Sequence, residues 1–503
     1  MSQAFVHSRA LHGIDAPSVT VESHLGGGLP GFSIVGLPET TVREARDRVK
    51  GAIQNAGFKW PDGKITVNLA PAELRKEGGR FDLPIALGIL AAMDAAPASH
   101  LDGLEVIGEL GLYGEIRPVT GVVSAALAAD TAGRGLVFPR ANLPEAALVR
   151  RARLHPVGHL AEALATIAQP VADDTVRNTR RPAQRANLSL NDVKGQHAAK
   201  RALVIAAAGA HHLLFVGPPG SGKTMLARRL PQLLPPPSEA EALEIVRVHS
   251  VAGGRGSDGL SLFGVRPFRE PHHTASAAAI VGGGSRSPHP GEISLAHLGV
   301  LFLDELPEFN RRVLEALREP LESNDIMLAR SQVRVRYPAR FQLVAAMNPC
   351  PSGRVCSARD CTCSHDQLRR YRSKISGPLL DRIDLHVQVP PVPQATLLAV
   401  QTARIDEEAE KANIRNARRR QIERAGKPNR DLSAVEIERD CALGATEALL
   451  LAAASERLRL SARGCHRVLR VARSIADLEN EERIAEPHLA EALGYRMLDG
   501  PSV

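Results

Sequence analysis

Short apolar runs alternate with longer segments of helical periodicity through the first 168 residues. The runs FSIVGLP, KITVNLAP, LEVIGELGL and RGLVFP are bounded by turn residues, which predicts strands. The segments TVREARDRVKGAIQNAG, DLPIALGILAAMDA and SAALAADTAG have the length and apolar spacing of helices. The pattern therefore predicts an α/β domain over residues 1–168.

The segment QPVADDTVRNTRRPAQRANLSL, which follows, is polar, rich in Arg and Asn, and lacks an apolar period. Such composition is typical of a linker, which we place at residues 169–190. A second α/β pattern occupies residues 191–390 and ends at PPVPQ. Residues 391–503 are charged and helical in pattern, and we expect them to form a separate helical domain.

The stretch LLFVGPPGSGKTMLARRL, at 213–230, contains a glycine-rich loop between an apolar strand and a helical pattern. The loop has the spacing G-x-x-x-x-G-K followed by Thr, in which backbone amides converge on phosphate oxygens. In such loops the lysine reaches the β- and γ-phosphates, and the threonine hydroxyl binds Mg²⁺. The predicted site for ATP and Mg²⁺ is Gly217, Pro218, Pro219, Gly220, Ser221, Gly222, Lys223 and Thr224.

Two later strand patterns end in polar residues that suit nucleotide hydrolysis. GVLFLDELPEF ends its apolar run at Asp304 and Glu305. The aspartate is expected to hold Mg²⁺, and the glutamate is expected to polarise the attacking water. FQLVAAMN places Asn348 at a strand end, where its amide would position the same water; capping a turn is the alternative.

Two arginines are candidates for contacting the triphosphate from outside the loop. We expect Arg382, in GPLLDRID, to be exposed after the last core strand and to reach the nucleotide of a neighbouring subunit. An ion pair with Asp381 or Asp384 is the alternative. Arg463, at the start of a helix in SARGCHRVLR, is expected to reach the phosphates of the bound nucleotide. Arg467, one turn further along, is the alternative residue for this role.

Composition and charge set the broad class of the protein. The chain has 503 residues, of which 44% are hydrophobic and 23% charged, as in ordinary globular proteins. The net charge of +8 is compatible with a nucleic-acid partner without requiring one. The start MSQAFVHSRA has no apolar signal core, and LPIALGILAAM is about half as long as a membrane span. We expect a cytoplasmic protein that does not contact the membrane.

Four cysteines lie close together in the sequence, at Cys350, Cys356, Cys361 and Cys363. Four thiolates suit tetrahedral Zn²⁺. Their spacing lacks two C-x-x-C pairs, however, and Cys361 and Cys363 are very close along the chain. Reduced loop cysteines therefore remain the alternative to a structural zinc site.

Three segments are candidates for contact with DNA. In IMLARSQVRVRYPAR the residues Gln332, Arg334 and Arg336 share one strand face and would grip phosphates without reading bases; an ordinary edge strand is the alternative. His272 and His273 in PFREPHHTAS are candidates for DNA contact or pore-loop coupling. The run RNARRRQIERAGKPNR, at 415–430, is either a solvated face or a contact to DNA or a subunit.

In this order, the glycine-rich loop, the Asp-Glu pair, Asn348, Arg382 and Arg463 resemble an AAA+ ATPase. PFREPHHTASAAAIVGGG, PGEISLAHLGVLFLDELPEF, GPLLDRIDLHVQV and GLPGFSIVGLPETTVREARDRVKGAIQNAGF resemble the magnesium-chelatase-like subgroup YifB/ComM. The resemblance implies a P-loop α/β core, a C-terminal α-helical lid and a homohexameric ring with ATP at subunit interfaces. It further implies that NDVKGQ lines the adenine, Asn348 is sensor 1, Arg382 an arginine finger and Arg463 sensor 2.

The same resemblance implies a hexameric, ATP-driven DNA helicase that promotes branch migration during natural transformation. Its partners would be single-stranded and branched DNA, together with recombinases. A metal-insertion ATPase subunit of the magnesium-chelatase type and a Lon-like unfoldase or protease are the alternatives.

The N-terminal domain resembles the C-terminal proteolytic domain of Lon, an S5-like fold. Lon-type proteolysis needs a serine nucleophile and a lysine. Here KEGGRFDLPIA lacks serine, and TGVVSAALAA has Ala125 and Ala126 and no lysine. We therefore expect a scaffold or DNA-contacting collar without peptidase activity.

Overall fold

The computed structural model describes residues 2–37, 42, 44–168, 188–252, 257–284, 288–330, 333–353, 361, 363–398 and 404–496. They fall into two compact units. The first comprises Met1–Ala183, Glu239–Phe263 and Ser331–Val335, and the second comprises Gln184–Ser238, Gly264–Arg330 and Arg336–Val503. Most of the predicted linker, 169–187, lies outside the described residues. No helix in the described ranges is long and apolar enough to cross a bilayer.

The first unit contains a seven-stranded mixed sheet and a separate two-stranded sheet. Its strands are β1 (Ser2–Arg9), β2 (Ser18–Gly26), β3 (Gly31–Val35), β4 (Lys64–Ala70), β5 (Leu104–Val106), β6 (Glu109–Leu110), β7 (Ile116–Arg117), β8 (Gly135–Pro139) and β9 (Leu154–Val157). The large sheet has the order β3-β4-β2-β1-β5-β8-β9, and β6 pairs with β7. β2 is antiparallel to β1 and β4, whereas the other neighbours are parallel.

The sequence pattern predicted part of this sheet correctly. β4 and β8 lie within predicted strands, and β3 overlaps one. LEVIGELGL divides into β5 and β6, which belong to different sheets. β1 and β2, the long antiparallel pair, were not predicted. In β1 the side chains of Ala4, Val6 and Ser8 all face inward, so the last of these buried positions is polar. An inward serine obscures the period-two pattern.

The helices of the first unit include the three predicted ones. Their bounds are Ala45–Asn55, Asp82–Ala92, Ala98–Leu101, Val122–Thr131, Leu143–Ala146, Leu160–Ala168, Glu239–Val251 and Ser257–Ser261. The helix Asp82–Ala92 is buried along its whole length and packs on β1 and β2. A Cβ atom at Gly88 would lie 2.5 Å from Ser23 Oγ, so glycine permits this close approach. The resemblance of this unit to Lon stays a prediction.

The second unit is built on a five-stranded parallel sheet. Its strands are β10 (Leu213–Val216), β11 (Phe268–Arg269), β14 (Val300–Leu303), β17 (Gln342–Met347) and β18 (Leu385–Gln388), in the order β11-β14-β17-β10-β18. All four neighbouring pairs are parallel, so the carboxyl ends share one edge of the sheet. Two small hairpins join β12 (Gly282–Gly283) with β13 (His289–Pro290), and β15 (Asp325–Arg330) with β16 (Val333–Pro338).

The helices of the second unit are partly shorter than predicted. They are His197–Gly209, Lys223–Ala227, Leu230–Leu233, Ala277–Val281, Glu292–Leu295, Arg311–Ala316, Pro320–Ser323, His365–Arg372, Gly377–Leu380, Gln394–Leu398, Glu407–Ala425, Ala434–Asp440, Ala445–Leu458, Ala462–Leu478 and Glu486–Gly494. The predicted helix after the glycine-rich loop breaks after Ala227. Pro231 explains the break, because its ring clashes with the carbonyl four residues earlier. The described part of 391–503 is helical, as predicted.

One hydrophobic core joins the parallel sheet, the helix His197–Gly209 and the C-terminal helices. Arg418, on the helix Glu407–Ala425, donates hydrogen bonds to the carbonyls of Ala207 (2.6 Å) and Ala208 (2.8 Å). These carbonyls end the helix His197–Gly209 and have no partner further along it. Arg424 pairs with Asp477. The interpretation of 415–430 as one solvated face is therefore wrong for Arg418 and Arg424, which hold helices together.

Candidate nucleotide-binding site

The glycine-rich loop leaves the carboxyl end of β10 and ends where the helix Lys223–Ala227 begins. A Cβ atom at Gly217 would lie 2.1 Å from the carbonyl oxygen of Val389, so glycine is required there. Gly220 and Gly222 have φ values of 74° and 92°. These left-handed conformations favour glycine and turn the chain sharply enough to direct backbone amides into the loop.

Lys223 folds back over this loop. Its Nζ donates to the carbonyl oxygens of Gly217 (2.7 Å) and Pro218 (2.9 Å) and to Asn348 Oδ1 (3.2 Å). Burial lowers the pKa of Lys223, while Asp304 and Glu305 act in the opposite direction. Phosphate oxygens are charged acceptors and bind an ammonium group more strongly than these neutral ones. The lysine is therefore placed to exchange its present contacts for a triphosphate.

Thr224 and Asp304 meet directly, since Thr224 Oγ1 donates to Asp304 Oδ2 over 2.8 Å. Asp304 follows the last residue of β14, and Thr224 lies in the first turn of the helix after the loop. A hydroxyl and a carboxylate are oxygen ligands of the kind that Mg²⁺ accepts, alongside substrate phosphates. These two residues therefore fit the predicted Mg²⁺ position.

Glu305 is held in an unusual backbone conformation, with a φ of 52°. Its amide donates to Asp304 Oδ1 (2.9 Å), and its Oε2 lies 3.2 Å from His273 Nδ1. The His273 ring is tilted against that of His272, with centroids 4.2 Å apart, and meets Phe309 edge-on. The sequence analysis offered DNA contact or pore-loop coupling for His273 and did not predict its contact with Glu305. β11 is the parallel neighbour of β14, so the segments that follow both strands emerge side by side.

Asn348 follows β17, which lies between β10 and β14 in the sheet. This position brings its Oδ1 to Lys223, as described above. The Asn348 backbone also forms a hydrogen bond with the Tyr371 hydroxyl, and burial raises the pKa of Tyr371 to about 12. Asn348 is thus held between the loop and the helix His365–Arg372.

The segment NDVKGQ lies against the same loop. Gln196 Nε2 donates to the carbonyls of Ser221 (3.2 Å) and Pro390 (2.6 Å). The Asn191 side chain exchanges two hydrogen bonds with the backbone of Ile405, of 3.0 and 2.8 Å. The residues expected to line the base are therefore adjacent to those expected to hold the phosphates.

Arg382 and Arg463 come together elsewhere, in a cavity of about 480 Å³. It is lined by five arginines, two histidines, three acids and two other residues: Arg382, Arg430, Arg463, Arg467, Arg470, His212, His466, Glu322, Asp384, Asp431, Leu321 and Asn324. None of its lining residues belongs to the loop 217–224. Arg467 Nη1 is buried and has no hydrogen-bond partner in the described ranges. Five arginines and three acids line the cavity, so it carries an excess of positive charge away from this chain's own loop.

Three expectations about Arg382, namely its exposure, its ion-pair partner and its position after the last core strand, are wrong. Its side chain is only 10% exposed, with Nη2 2.5 Å from Glu322 Oε1 and Nη1 donating to the Pro378 carbonyl (2.7 Å). The ion-pair partner is thus Glu322 rather than Asp381 or Asp384. Arg382 also precedes a core strand, because β18 follows it at the sheet edge. Polar residues interrupt the apolar pattern around β18, so the sequence analysis did not predict this strand.

The thiols of Cys350, Cys361 and Cys363 form a group in which all three Sγ atoms lie within 4.8 Å of one another. Cys356 lies outside the described residues. The spacing of the cysteines in the sequence argued against a shared metal site. The spacing does not reveal that the fold brings Cys350 to Cys361 and Cys363.

The predicted alternation in β16 is confirmed where the structure describes it. Arg334 and Arg336 are exposed, whereas Val335 and Tyr337 are buried. Arg336 pairs with Asp325, and Tyr337 donates its hydroxyl proton to the Pro288 carbonyl (2.6 Å). Gln332 lies outside the described residues. Arg334 is thus an exposed cation on the predicted basic face.

Comparison with family models places most of the chain in one group. Residues 189–397 match the model described as magnesium chelatase, subunit ChlI, and residues 406–496 match that of the subunit ChlI C-terminal region. Residues 21–142 match a further model described as subunit ChlI of Mg-chelatase. Both ends of the candidate site, the loop and Asn348, fall within the first match.

Similar proteins match over nearly their full length. The competence protein ComM of Haemophilus influenzae is 50% identical over 507 residues, covering 99% of this chain and 98% of its own. The protein YifB of Escherichia coli is 46% identical over 499 residues, with the same coverage. The magnesium-chelatase 67 kDa subunit of Heliobacterium mobile is 29% identical over 40% of this chain. The chain therefore belongs to the YifB/ComM family of magnesium-chelatase-like AAA+ proteins.

Proposed function

We propose that the chain is a DNA-dependent ATPase that acts as a ring of six copies and drives branch migration of joined DNA strands. The observation that carries the ATPase part is the convergence of Lys223, Thr224, Asp304, Glu305 and Asn348 at one sheet edge. The DNA part is supported by the full-length similarity to a protein named for competence, and by the exposed Arg334.

In the proposed reaction the loop holds the triphosphate of ATP. Thr224 and Asp304 would hold Mg²⁺, which would supply neutralisation of the triphosphate charge when bound. Lys223 exchanges its carbonyl contacts for phosphate oxygens. Glu305 orients the attacking water and accepts its proton, and Asn348 holds the same water in line with the γ-phosphate.

In this proposal Arg382 and Arg463 complete the site of a neighbouring copy, and Arg382 exchanges its ion pair with Glu322 for phosphate oxygens there. They share a cationic cavity that no residue of the chain's own loop lines. Two arginines so placed are suited to the γ-phosphate of a second chain, where they stabilise the charge that develops during transfer. A ring follows from this arrangement, because each copy then supplies arginines to one neighbour and receives them from the other.

Contact with DNA is assigned to β16. Its exposed arginine face would bind phosphates through charge, without reading the base sequence. Such contacts suit a motor that must move along any sequence. Single-stranded and branched DNA are therefore the proposed substrates, and recombinases are the proposed partners.

A metal-insertion ATPase is the second candidate, because two relatives carry the name of magnesium-chelatase subunits. They cover 40% and 31% of this chain, whereas ComM and YifB cover 99%. The shared part is the expected extent of a common ATPase core. We therefore prefer the proposal that the chain acts on DNA to the proposal that it inserts a metal.

The test is hydrolysis of ATP by the full-length chain without DNA, with forked DNA and with four-way DNA, alongside strand separation on the same substrates. Both DNA forms should raise the rate of hydrolysis, and strands should separate only when ATP is hydrolysed. Glu305→Gln should bind ATP and DNA yet separate nothing. Hydrolysis indifferent to every DNA tried would overturn the proposed substrate, and full ATPase activity in Glu305→Gln would overturn the role of Glu305.

A further inference from the structure

Cys350, Cys361 and Cys363 bring three thiols together across a connection of 14 residues. Cys350 is buried and lies three residues after the end of β17, whereas Cys361 and Cys363 are partly exposed and precede the helix His365–Arg372. We infer that these three cysteines bind a structural Zn²⁺ ion, which ties the end of β17 to the start of that helix.

The distances fit a metal site. A tetrahedral zinc ion with Zn–S bonds of about 2.3 Å separates its sulfur ligands by about 3.8 Å. The three Sγ atoms already lie within 4.8 Å of one another. Small side-chain rotations close the remaining distance. In the described ranges this is the one group of three such ligand atoms, so the closeness is not a general feature of the surface.

The donor set selects the metal. Thiolates are soft ligands that favour Zn²⁺ over Mg²⁺ or Ca²⁺, which prefer oxygen. No disulfide joins the described cysteines. The closeness of Cys361 and Cys363 in sequence does not prevent metal binding, because both thiols lie near that of Cys350, which follows β17. A fourth thiol, Cys356, belongs to the same connection in the sequence and lies outside the described residues.

The ion would restrain Asn348. Cys350 follows Asn348 by two residues, and the Asn348 backbone bonds the hydroxyl of Tyr371 on the helix that Cys363 precedes. A metal that joins both ends of the connection limits how far β17 and this helix can move apart. The effect on turnover rests on the proposed role of Asn348, whereas binding of zinc does not.

Zinc content of the purified full-length chain is the first measurement. Protein from zinc-supplemented culture should carry about one zinc per chain by mass spectrometry, and Cys350→Ser, Cys361→Ser and Cys363→Ser should each lose most of it. Cys465→Ser is the matched control, because its Sγ lies 3.4 Å from Ser455 Oγ on other helices. It should keep the full content. Equal zinc in all four variants would overturn the assignment.

A second measurement needs no variant, so a misfolded Cys350→Ser cannot confuse the result. Co²⁺ added to the metal-depleted chain should produce the intense charge-transfer absorption of thiolate coordination, and Zn²⁺ should displace it. Absence of that absorption, together with less than about one tenth of a zinc per chain as purified, would overturn the site. Neither measurement involves nucleotide or DNA, so failure of the proposed motor activity would remain a separate result.

Discussion

His273 Nδ1 lies 3.2 Å from Glu305 Oε2, and this contact joins two segments that are 32 residues apart in the sequence. It arises because β11 and β14 are parallel neighbours whose carboxyl ends open at one edge of the sheet. The histidine holds the carboxylate that we propose as the base for hydrolysis. His273 is therefore a positioning residue for Glu305.

Replacing His273 with alanine should lower the kcat of ATP hydrolysis by about tenfold, since a misdirected base orients the water poorly. Nucleotide affinity should stay within about twofold, because the contacts described for His273 are with His272, Glu305 and Phe309, which lie outside the loop. Steady-state kinetics and nucleotide titration give the two values. His272→Ala is the matched control, as His272 contacts Thr274 rather than Glu305. Equal kcat for wild type and His273→Ala would contradict the positioning role.

Thr224→Ala should raise the Mg²⁺ concentration needed for half-maximal hydrolysis by about fivefold, because one oxygen ligand beside Asp304 is lost. Thr224→Ser keeps the hydroxyl and should stay within about twofold of wild type. A Mg²⁺ titration of ATPase activity measures the shift. If both variants shifted equally, the lost methyl group and not the hydroxyl would be responsible.

Lys223→Ala should abolish ATP binding, and Arg382→Ala should keep binding while losing turnover. Mixed together, the two variants should regain part of the hydrolysis, because an intact loop then meets an intact arginine from a neighbour. The double variant Lys223→Ala/Arg382→Ala, mixed with Arg382→Ala, offers no such pair and is the control. Recovery in neither mixture would argue against an arginine that acts between subunits.

Arg418→Met should lower the free energy of unfolding by about 2 kcal/mol, because two charge-assisted hydrogen bonds to helix carbonyls are lost. Burial lowers the pKa of Arg418 to about 9, in keeping with an enclosed guanidinium. Arg415→Met, exposed on the same helix, should change stability by less than about 0.5 kcal/mol. Urea unfolding measures both. Unchanged stability with weakened DNA binding would instead favour the alternative that this run contacts DNA.

Arg334→Ala should weaken DNA binding and leave stability unchanged, whereas Arg418→Met should lower stability. DNA affinity should fall, and the slope of its logarithm against the logarithm of salt concentration should drop by about one, as one phosphate contact is removed. Stability should change by less than about 0.5 kcal/mol, because the side chain is exposed. Fluorescence anisotropy over a salt series measures affinity. An unchanged salt slope would remove Arg334 from the DNA-binding face.

His386 should make the protein less stable in acid. Burial and the charge of Arg496 lower the pKa of His386 to about 3. Between that value and the unfolded pKa of about 6.5, only the unfolded chain takes up the proton, so stability falls as the pH falls. The contribution is fully present above pH 6.5 and should be reduced by about 2 kcal/mol at pH 5.

His386→Phe should therefore lose about 2 kcal/mol less than wild type between pH 7.5 and pH 5, measured by urea unfolding at both values. The exposed His289→Phe is the control and should follow wild type. Equal losses in His386→Phe and wild type would show that His386 does not carry this dependence.

The contiguous part of the site was predictable from sequence. A phosphate-binding loop consists of one strand, one turn and one helix in succession, so residues 217–224 contain nearly all the information that their conformation requires. Asp304 and Asn348 were also predictable, because each directly ends an apolar strand. Their convergence with Lys223 needed only the rule that parallel strands open at a common edge.

Interactions between distant segments were not predictable in the same way. The pairing of Arg382 with Glu322 joins residues 60 positions apart, and neither side chain has a local pattern that identifies the other. Arg418 belongs to a run of similar charges, and only its neighbours in space distinguish it from Arg415. The short strand β18 was not predicted because His386 and Gln388 interrupt its apolar run, whereas the equally short β10 and β14 are wholly apolar.

The order and chemistry of residues along the chain determined the glycine-rich loop and the polar residues Asp304, Glu305 and Asn348 that end two apolar strands, because these depend on local conformation. The tertiary structure decided which side chains meet them. Strand order placed His273 on Glu305, gathered Arg382 and Arg463 in a cavity apart from the loop, and brought Cys350 to Cys361 and Cys363. Such contacts depend on the packing of the whole sheet and its helices, which no short segment specifies.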